Sequence, residues 1–271
     1  MNKLKHAMVL LALAGTIGSQ PVFADEALQA AINGSQRSEA NKARDAARHP
    51  QQTLEFFGIT PSMTVVELNP GGGWYTEILA PYLRAKGHLI EAFAEPKSKD
   101  QEGRADAAAI QKKMNASPAV YDKVKTATFE PPEKLSFAPN NSADLVLTFR
   151  NVHNWVGYGD EKMQTMFKAV FSSLKKGGVF GVVDHRLPAG KTQDKDASTG
   201  YVSEAYVIKI AESAGFKLAG KSEINANPKD NADHKNGVWA LPPTFANKDE
   251  DRKTYADIGE SDRLTLKFVK P

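Results

Sequence analysis

The sequence predicts an α/β fold: one doubly wound domain around a mostly parallel seven-stranded sheet, preceded by a helical extension. Three observations predict it. From residue 61 onward, short β-branched or apolar runs alternate with longer segments of helical periodicity, the order that βαβ units produce. One run, DLVLTF at 144–149, is apolar on both parities except at its ends, as a strand covered on both faces requires. A glycine-rich turn, NPGGGWY at 69–75, joins the first strand to the first helix of the domain. In parallel α/β sheets, ligands bind outside the carboxyl ends of the strands.

The elements follow in order. Residues 25–60 read as a polar helical extension, with Arg37, Arg44 and Arg48 recurring along it and His49-Pro50 breaking the run. We read most of these arginines as a solvated helix face, with closure over a pocket as the alternative. A short helix over 53–57 ends at Gly58, as a left-handed cap requires. The domain proper, 61–271, opens with a strand at 64–68 and a helix over 75–83 that places Ile78, Leu79 and Leu83 on one side. A second strand spans 88–93, a charged, Ala-rich helical stretch 97–123 and a third strand 124–129. A Pro-rich loop, 130–141, leads to the fourth strand. A helix over 161–174 carries Met163, Met166, Phe167, Val170, Phe171 and Leu174 at helical spacing, and KKGG at 175–178 caps it. A fifth strand follows at 179–183, a helix at 201–214, and strands at 216–223 and 263–269. The long polar insertion between these last two predicts a hairpin-like edge in place of a further crossover.

The first 24 residues read MNKLKHAMVLLALAGTIGSQPVFA. Lys3 and Lys5 precede a short apolar run, and Val22 and Ala24 occupy the small-residue positions of a cleavage site, the three-part pattern of a secretory signal peptide. The run falls short of the ~20 residues that span a bilayer. The expectation is a periplasmic or secreted protein with no membrane attachment after cleavage. The whole chain has a net charge of +3; loss of Lys3 and Lys5 lowers it to +1, which gives no electrostatic case for nucleic acid. The chain has no cysteine, so disulfides, thiolate metal ligands and thiol catalysis are excluded.

The glycine turn is not a dinucleotide fingerprint, because Thr76 stands where a third glycine is needed. It is not a P-loop either, since no Gly-Lys-Ser/Thr follows. Glu67 would repel phosphate near the end of the first strand and suits an ammonium or hydroxyls instead. A tight turn with a capping acid is the plainer alternative.

Three blocks together resemble class I S-adenosylmethionine-dependent methyltransferases: TVVELNPGGGWYTEILAPYL is similar to their motif I, ADLVLTFRNVHNW to their fourth strand and its loop, and LKKGGVFGVVDHR to their helix–Gly-Gly–fifth-strand signature. The similarity runs from about Glu39 to the C-terminus. RDAARHPQQTLEFFGITP looks like the lead-in of an exported, methyltransferase-like subgroup. The resemblance implies a Rossmann-like fold and S-adenosylmethionine as cofactor. It carries cofactor binding onto Glu67, Asn69, Gly71, Gly72, Gly73, Tyr75 and Asn151, and onto Phe129-Glu130 for the adenine. Two departures stand out. Asn69 replaces the first glycine, and Phe93 stands where the family places the ribose-binding acid, with Glu91 and Glu95 flanking it on the same strand face; Glu95 takes the ribose role if the strand runs slightly longer.

Methyl transfer by direct displacement relies on positioning and needs a base only where the acceptor must lose a proton. His153, after strand four, is the first candidate, and His185, after strand five, the second. Arg186 could grip an acceptor carboxylate or phosphate bidentately, and Tyr201 and Tyr206 could line an acceptor site or pack in the core. The expected function is methylation of a small-molecule acceptor. The rival is a non-catalytic periplasmic ligand-binding protein with the same fold. A third reading, a metal-assisted hydrolase, would require Glu67, His153, Asp184 and His185 to converge.

Overall fold

The computed structural model describes residues 25–271; the predicted signal peptide lies outside the described residues. Eight strands are present: β1 (Thr64–Leu68), β2 (His88–Phe93), β3 (Lys125–Thr128), β4 (Ala143–Phe149), β5 (Leu174–Leu187), the two-residue β6 (Val202–Ser203), β7 (Lys217–Ser222) and β8 (Arg263–Val269). Seven of them form one continuous sheet in the order β3-β2-β1-β4-β5-β8-β7, and β6 pairs only with the end of β5. Strands β1 to β5 run parallel, while β8 is antiparallel to both β5 and β7, so the predicted hairpin-like edge is present.

The helices are α1 (Glu26–Asn33), α2 (Glu39–Lys42), α3 (Asp45–Arg48), α4 (Pro50–Phe57), α5 (Thr76–Leu83), α6 (Gln101–Ala116), α7 (Pro118–Tyr121), α8 (Val152–Val156), α9 (Asp160–Ser173), α10 (Glu204–Ser213) and α11 (Arg252–Ile258). Asp25 caps α1 and Asp100 caps α6 through backbone N–H groups of the first turn, which satisfies donors that a helix start leaves free. Pro50 opens α4, where its missing N–H costs nothing, and Gly58 closes it at φ 82°. Among the described residues no helix is long and apolar enough to cross a membrane.

Side-chain alternation divides the core into two layers. Val65, Leu145, Leu147 and Val183 face α1, α4 and α5 through Leu28, Leu54, Phe57, Ile78 and Leu79. Val66, Leu68, Val146, Phe180 and Val182 face α9 and α10 through Met163, Phe167, Val170 and Ile210. Both faces of the central strands are thus covered, which explains the unbroken apolarity of β4. Each such side chain contributes roughly 1.5–3 kcal/mol on burial.

Two expectations are corrected. The KKGG segment is strand and not a cap: β5 starts at Leu174, and Gly177 and Gly178 exchange backbone hydrogen bonds with Lys270. The arginines of the extension are not a solvated face. Arg37 and Arg48 are 2% and 3% exposed, because each lays its guanidinium over the ring of Trp74, and Arg37 is held bidentately by Asp45 at 2.6 and 2.7 Å.

Candidate functional site

Strands β1 to β5 all end at one edge of the sheet, and the antiparallel β8 begins there. The turn after β1 forms the floor. Asn69 takes the left-handed conformation at φ 48°, which asparagine tolerates better than other side-chain-bearing residues, so it does the backbone work of the glycine it replaces. Gly71 and Gly73 are also left-handed, at φ 57° and 75°. Gly72 is not, and a Cβ built on it would meet nothing within 4 Å; its backbone faces open space. Asn151 fixes the floor from the next strand, donating through Nδ2 to the Leu68 carbonyl at 3.0 Å, the Asn69 carbonyl at 3.2 Å and Thr148 Oγ1 at 3.0 Å.

Two hollows share this floor. One, of about 620 Å³, is walled by Phe93, Ile110, Phe129 and Trp155, with Asp100, Glu102, Asp106 and Glu130 among its polar groups. The other, of about 460 Å³, is walled by Arg44, Phe149, Arg150, His153, His185 and Trp239, together with Glu260 and Ser261. Asn69, Pro70, Gly71, Glu102, Asp106, Asn151 and Asn154 line both, so a ligand lying over the turn reaches from one into the other. Trp74 does not plug the space. Its Nε1 donates to the Asn41 carbonyl at 3.0 Å, and the guanidiniums of Arg37 and Arg48 lie 4.8 and 4.7 Å from its ring centroid, which keeps the ring in the wall of the second hollow.

The histidines sit in the second hollow with ring centroids 5.2 Å apart. Asp184, fully buried at the end of β5, organises them. Its carboxylate accepts the backbone N–H of His153 at 3.0 Å, the backbone N–H of His185 at 2.7 Å and the Nδ1–H of His153 at 2.7 Å. That bond assigns the proton to Nδ1 and leaves a lone pair on His153 Nε2. His185 Nδ1 is 2.5 Å from Ser261 Oγ. Burial, then the positive charge of Arg150, Arg263 and Arg48, lowers the His185 pKa well below its ordinary value, so this ring is neutral at pH 7.

Other predicted site residues fall elsewhere. Glu67 lines neither hollow. It lies under the turn, accepts the Thr76 hydroxyl at 3.0 Å and faces Glu91 across the β1–β2 pair. Burial raises both carboxyls, Glu67 to about 7, and burial and then the Glu67 charge hold Glu91 well above the usual carboxylate range. The Glu91 oxygens have no hydrogen-bond partner among the described residues, and a proton held between the two acids would relieve the repulsion of two buried carboxylates. Gly73 also lines neither hollow, because its Cα faces Ile110, whose Cδ1 would be 2.5 Å from a Cβ there. Tyr75 is buried against Phe149, stacked at 3.5 Å. Glu95 turns outward to Lys134 at 2.6 Å, leaving Phe93 in the wall. Arg186 is occupied by Asp262 and Glu223. Tyr201 donates to Asp230 and Tyr206 to Asp160, so neither lines the hollow.

His153, Asp184 and His185 do converge, with ligand atoms within 4.8 Å of one another, but Glu67 does not join them. The Asp184 carboxylate is already committed to three N–H donors, and the neighbouring guanidiniums oppose a dication.

Residues that the sequence reading passed over complete the wall. Arg150 follows β4 directly, and that position at a carboxyl end was its only signal. Glu260 and Ser261 precede β8 and reach the site because β8 is antiparallel, with His185 opposite Arg263 in the register. Trp239 comes from the polar insertion, its ring 6.3 Å from that of His153.

The sequence matches no protein-family model and no curated protein. Solved structures do match. A SAM-dependent methyltransferase from Aquifex aeolicus is 15% identical, with 84% of this chain and 93% of that one covered at a TM-score of 0.56. Geranyl diphosphate C-methyltransferase from Streptomyces coelicolor A3(2), solved with geranyl diphosphate and S-adenosyl-L-homocysteine, is 12% identical over 89% and 88% of the two chains at 0.55. The cyclase SpnF is 15% identical over 88% and 85% at 0.55. This chain has the Rossmann-like fold of the SAM-dependent methyltransferases. At such identities the likeness establishes the fold, and a cyclase among these structures illustrates how one fold serves different chemistry.

Proposed function

We propose that this protein transfers a methyl group from S-adenosylmethionine to a small-molecule acceptor. The observation that carries the reading is the pair of hollows meeting over the Asn69–Gly72 turn, one apolar-walled and one built around an Asp184-oriented histidine. The first has the size of a small-molecule site and flat apolar walls in Phe93 and Phe129 that suit a purine. Asp106 and Glu102, at the junction, suit an ammonium and a sulfonium. The residues therefore fit the cofactor, with the ribose contact shifted away from the Phe93 position.

Bound there, S-adenosylmethionine supplies an electrophilic methyl carbon. The protein's part is placement and proton handling. Gly71 and Gly72 let the ligand approach the backbone, and Asn151 keeps that floor in register with β4. His153 Nε2 takes the proton that an acceptor O–H or N–H loses, while Asp184 holds the ring and stabilises the imidazolium. His185, neutral and tied to Ser261, donates no charge and orients the acceptor.

We propose further that residues 1–24 direct export, which the N-terminal sequence of the protein recovered from its host would test. The activity is tested by incubating the purified protein with S-adenosylmethionine and a panel of small acceptors and measuring S-adenosylhomocysteine release. Acceptor-dependent release that His153→Gln abolishes supports the reading. Tight S-adenosylhomocysteine binding without turnover on any acceptor would point to the ligand-binding rival.

A further inference from the structure

Four guanidiniums converge at the histidine hollow, those of Arg44 and Arg150 in its wall. Arg44 Nε lies 2.6 Å from Glu260 Oε1, Arg48 Nε 3.4 Å from Oε2 and Arg263 Nη2 2.7 Å from Oε2. Arg150, in the wall, has no side-chain hydrogen-bond partner among the described residues. One carboxylate thus serves three arginines while a fourth stands free, and the next acid, Asp184, is already bonded to the histidines. Arg44 Nη2 and Arg48 Nη2 are buried without a partner. Burying like charges with unsatisfied donors is costly unless an anion completes the set. The guanidiniums register this strain: burial and like-charge neighbours push Arg150 down to about 10 and lower Arg48 and Arg263 as well.

Arg150 holds its place by an unusual backbone. It sits at φ 62°, a left-handed conformation uncommon for a residue with a long side chain, and its N–H donates to the Val183 carbonyl at 2.7 Å. A strained position that puts a free guanidinium in a cavity wall is a feature to be explained by what it binds.

We propose that Arg150 and Arg44, backed by Arg48 and Arg263, form a site for a carboxylate or phosphate group of the acceptor, beside His153. This rests on the transferase reading for the word acceptor, but the anion site itself does not. The cofactor's own carboxylate is a competing occupant. It would offset one of the excess positive charges and leave others unbalanced, which favours a second anion. The surplus also argues that the acceptor is acidic, with its reacting atom a short distance from the charged group.

The test is isothermal titration of the full protein at low ionic strength with inorganic phosphate and with benzoate, each with and without saturating S-adenosylhomocysteine. The expected result is saturable binding of at least one probe to the S-adenosylhomocysteine-loaded protein, weakened roughly tenfold or more in Arg150→Gln and Arg44→Gln. Lys176→Gln, which removes the same charge from an exposed site, should leave it unchanged. Comparing S-adenosylhomocysteine with 5′-methylthioadenosine, which lacks the amino-acid carboxylate, separates the two occupants. Loss of S-adenosylhomocysteine affinity in Arg150→Gln with 5′-methylthioadenosine unaffected, and no probe binding to the loaded protein, would overturn the proposal. Probe binding that needs Arg150 in a protein that ignores S-adenosylhomocysteine would leave the anion site standing and remove the transferase reading.

Discussion

The hollow formed by β2, β3 and α6 is walled by Phe93, Ile110, Phe129 and Trp155 with carboxylates at its edge, whereas the one beside β5 and β8 is walled by Arg44, Arg150, His153 and His185. They share a floor and the junction residues Glu102, Asp106 and Asn154, and differ in their walls. The first offers flat apolar surface, which holds a ring system without demanding a charge. The second offers fixed positive charge and a histidine oriented by a buried carboxylate, which suits an anion and the transfer of a proton. On the proposed function, the difference divides binding and reaction between the two sides of the glycine turn, so substitutions on one side should spare the function of the other.

The largest expected effect is on the reactive side. His153→Gln should lower turnover by roughly 10²–10⁴-fold, the usual worth of a positioned base, while S-adenosylhomocysteine affinity stays within about twofold on titration. A comparable fall in affinity would mean that the two hollows are one site. Next is the shared floor. Gly72→Leu adds bulk where there is open space and no positive φ, so it should weaken S-adenosylhomocysteine binding at least roughly tenfold with little change in thermal unfolding, since no native contact is displaced. Gly73 is the poorer probe, because a side chain there collides with Ile110.

A third substitution tests what lies beneath the floor. The Glu67 and Glu91 carboxyls have raised pKa values, with Glu67 at about 7. The folded state therefore binds more protons than the unfolded chain above pH 4.5, and stability falls as pH rises from there through about 7. Glu91→Gln removes one acid of the pair. Denaturant unfolding should show it more stable relative to wild type at pH 8 than at pH 5, by roughly 1–3 kcal/mol. A pH-independent difference would refute the shared-proton account. The smallest effect is expected at Glu95, an exposed partner of Lys134 outside both hollows. Glu95→Gln should change ligand affinity less than about twofold and stability by less than about 1 kcal/mol.

Much of the fold was legible because periodicity records burial. The bounds of β1, β2 and β8 follow directly from apolar runs with clear ends. The length of β5 did not, since Lys175 to Gly178 carry no apolar signal and are strand only through Lys270 of the neighbouring β8. The candidate site was legible where it lies at the carboxyl end of a parallel strand: Asn69, Gly71, Gly72, Asn151 and His153 follow β1 and β4 and line the hollows, as does His185, which lies within the last residues of a β5 that runs beyond the expected end at 183. It was illegible where a residue's role depends on a distant partner. Glu67 faces inward because Glu91 and Thr76 lie opposite it, and Arg48 is buried by Trp74 and Glu260, 26 and 212 positions away in sequence. Glu260 and Ser261 belong to the site through the direction of β8, which no local pattern encodes.

The central claim is that the glycine turn carries an adenosine-bearing ligand between the two hollows. Isothermal titration of the purified protein with S-adenosylhomocysteine tests it most directly. The account predicts saturable one-to-one binding in wild type that Gly72→Leu weakens and Glu95→Gln leaves intact. Absence of heat with well-folded wild-type protein at millimolar ligand, or equal binding in wild type and Gly72→Leu, would contradict it.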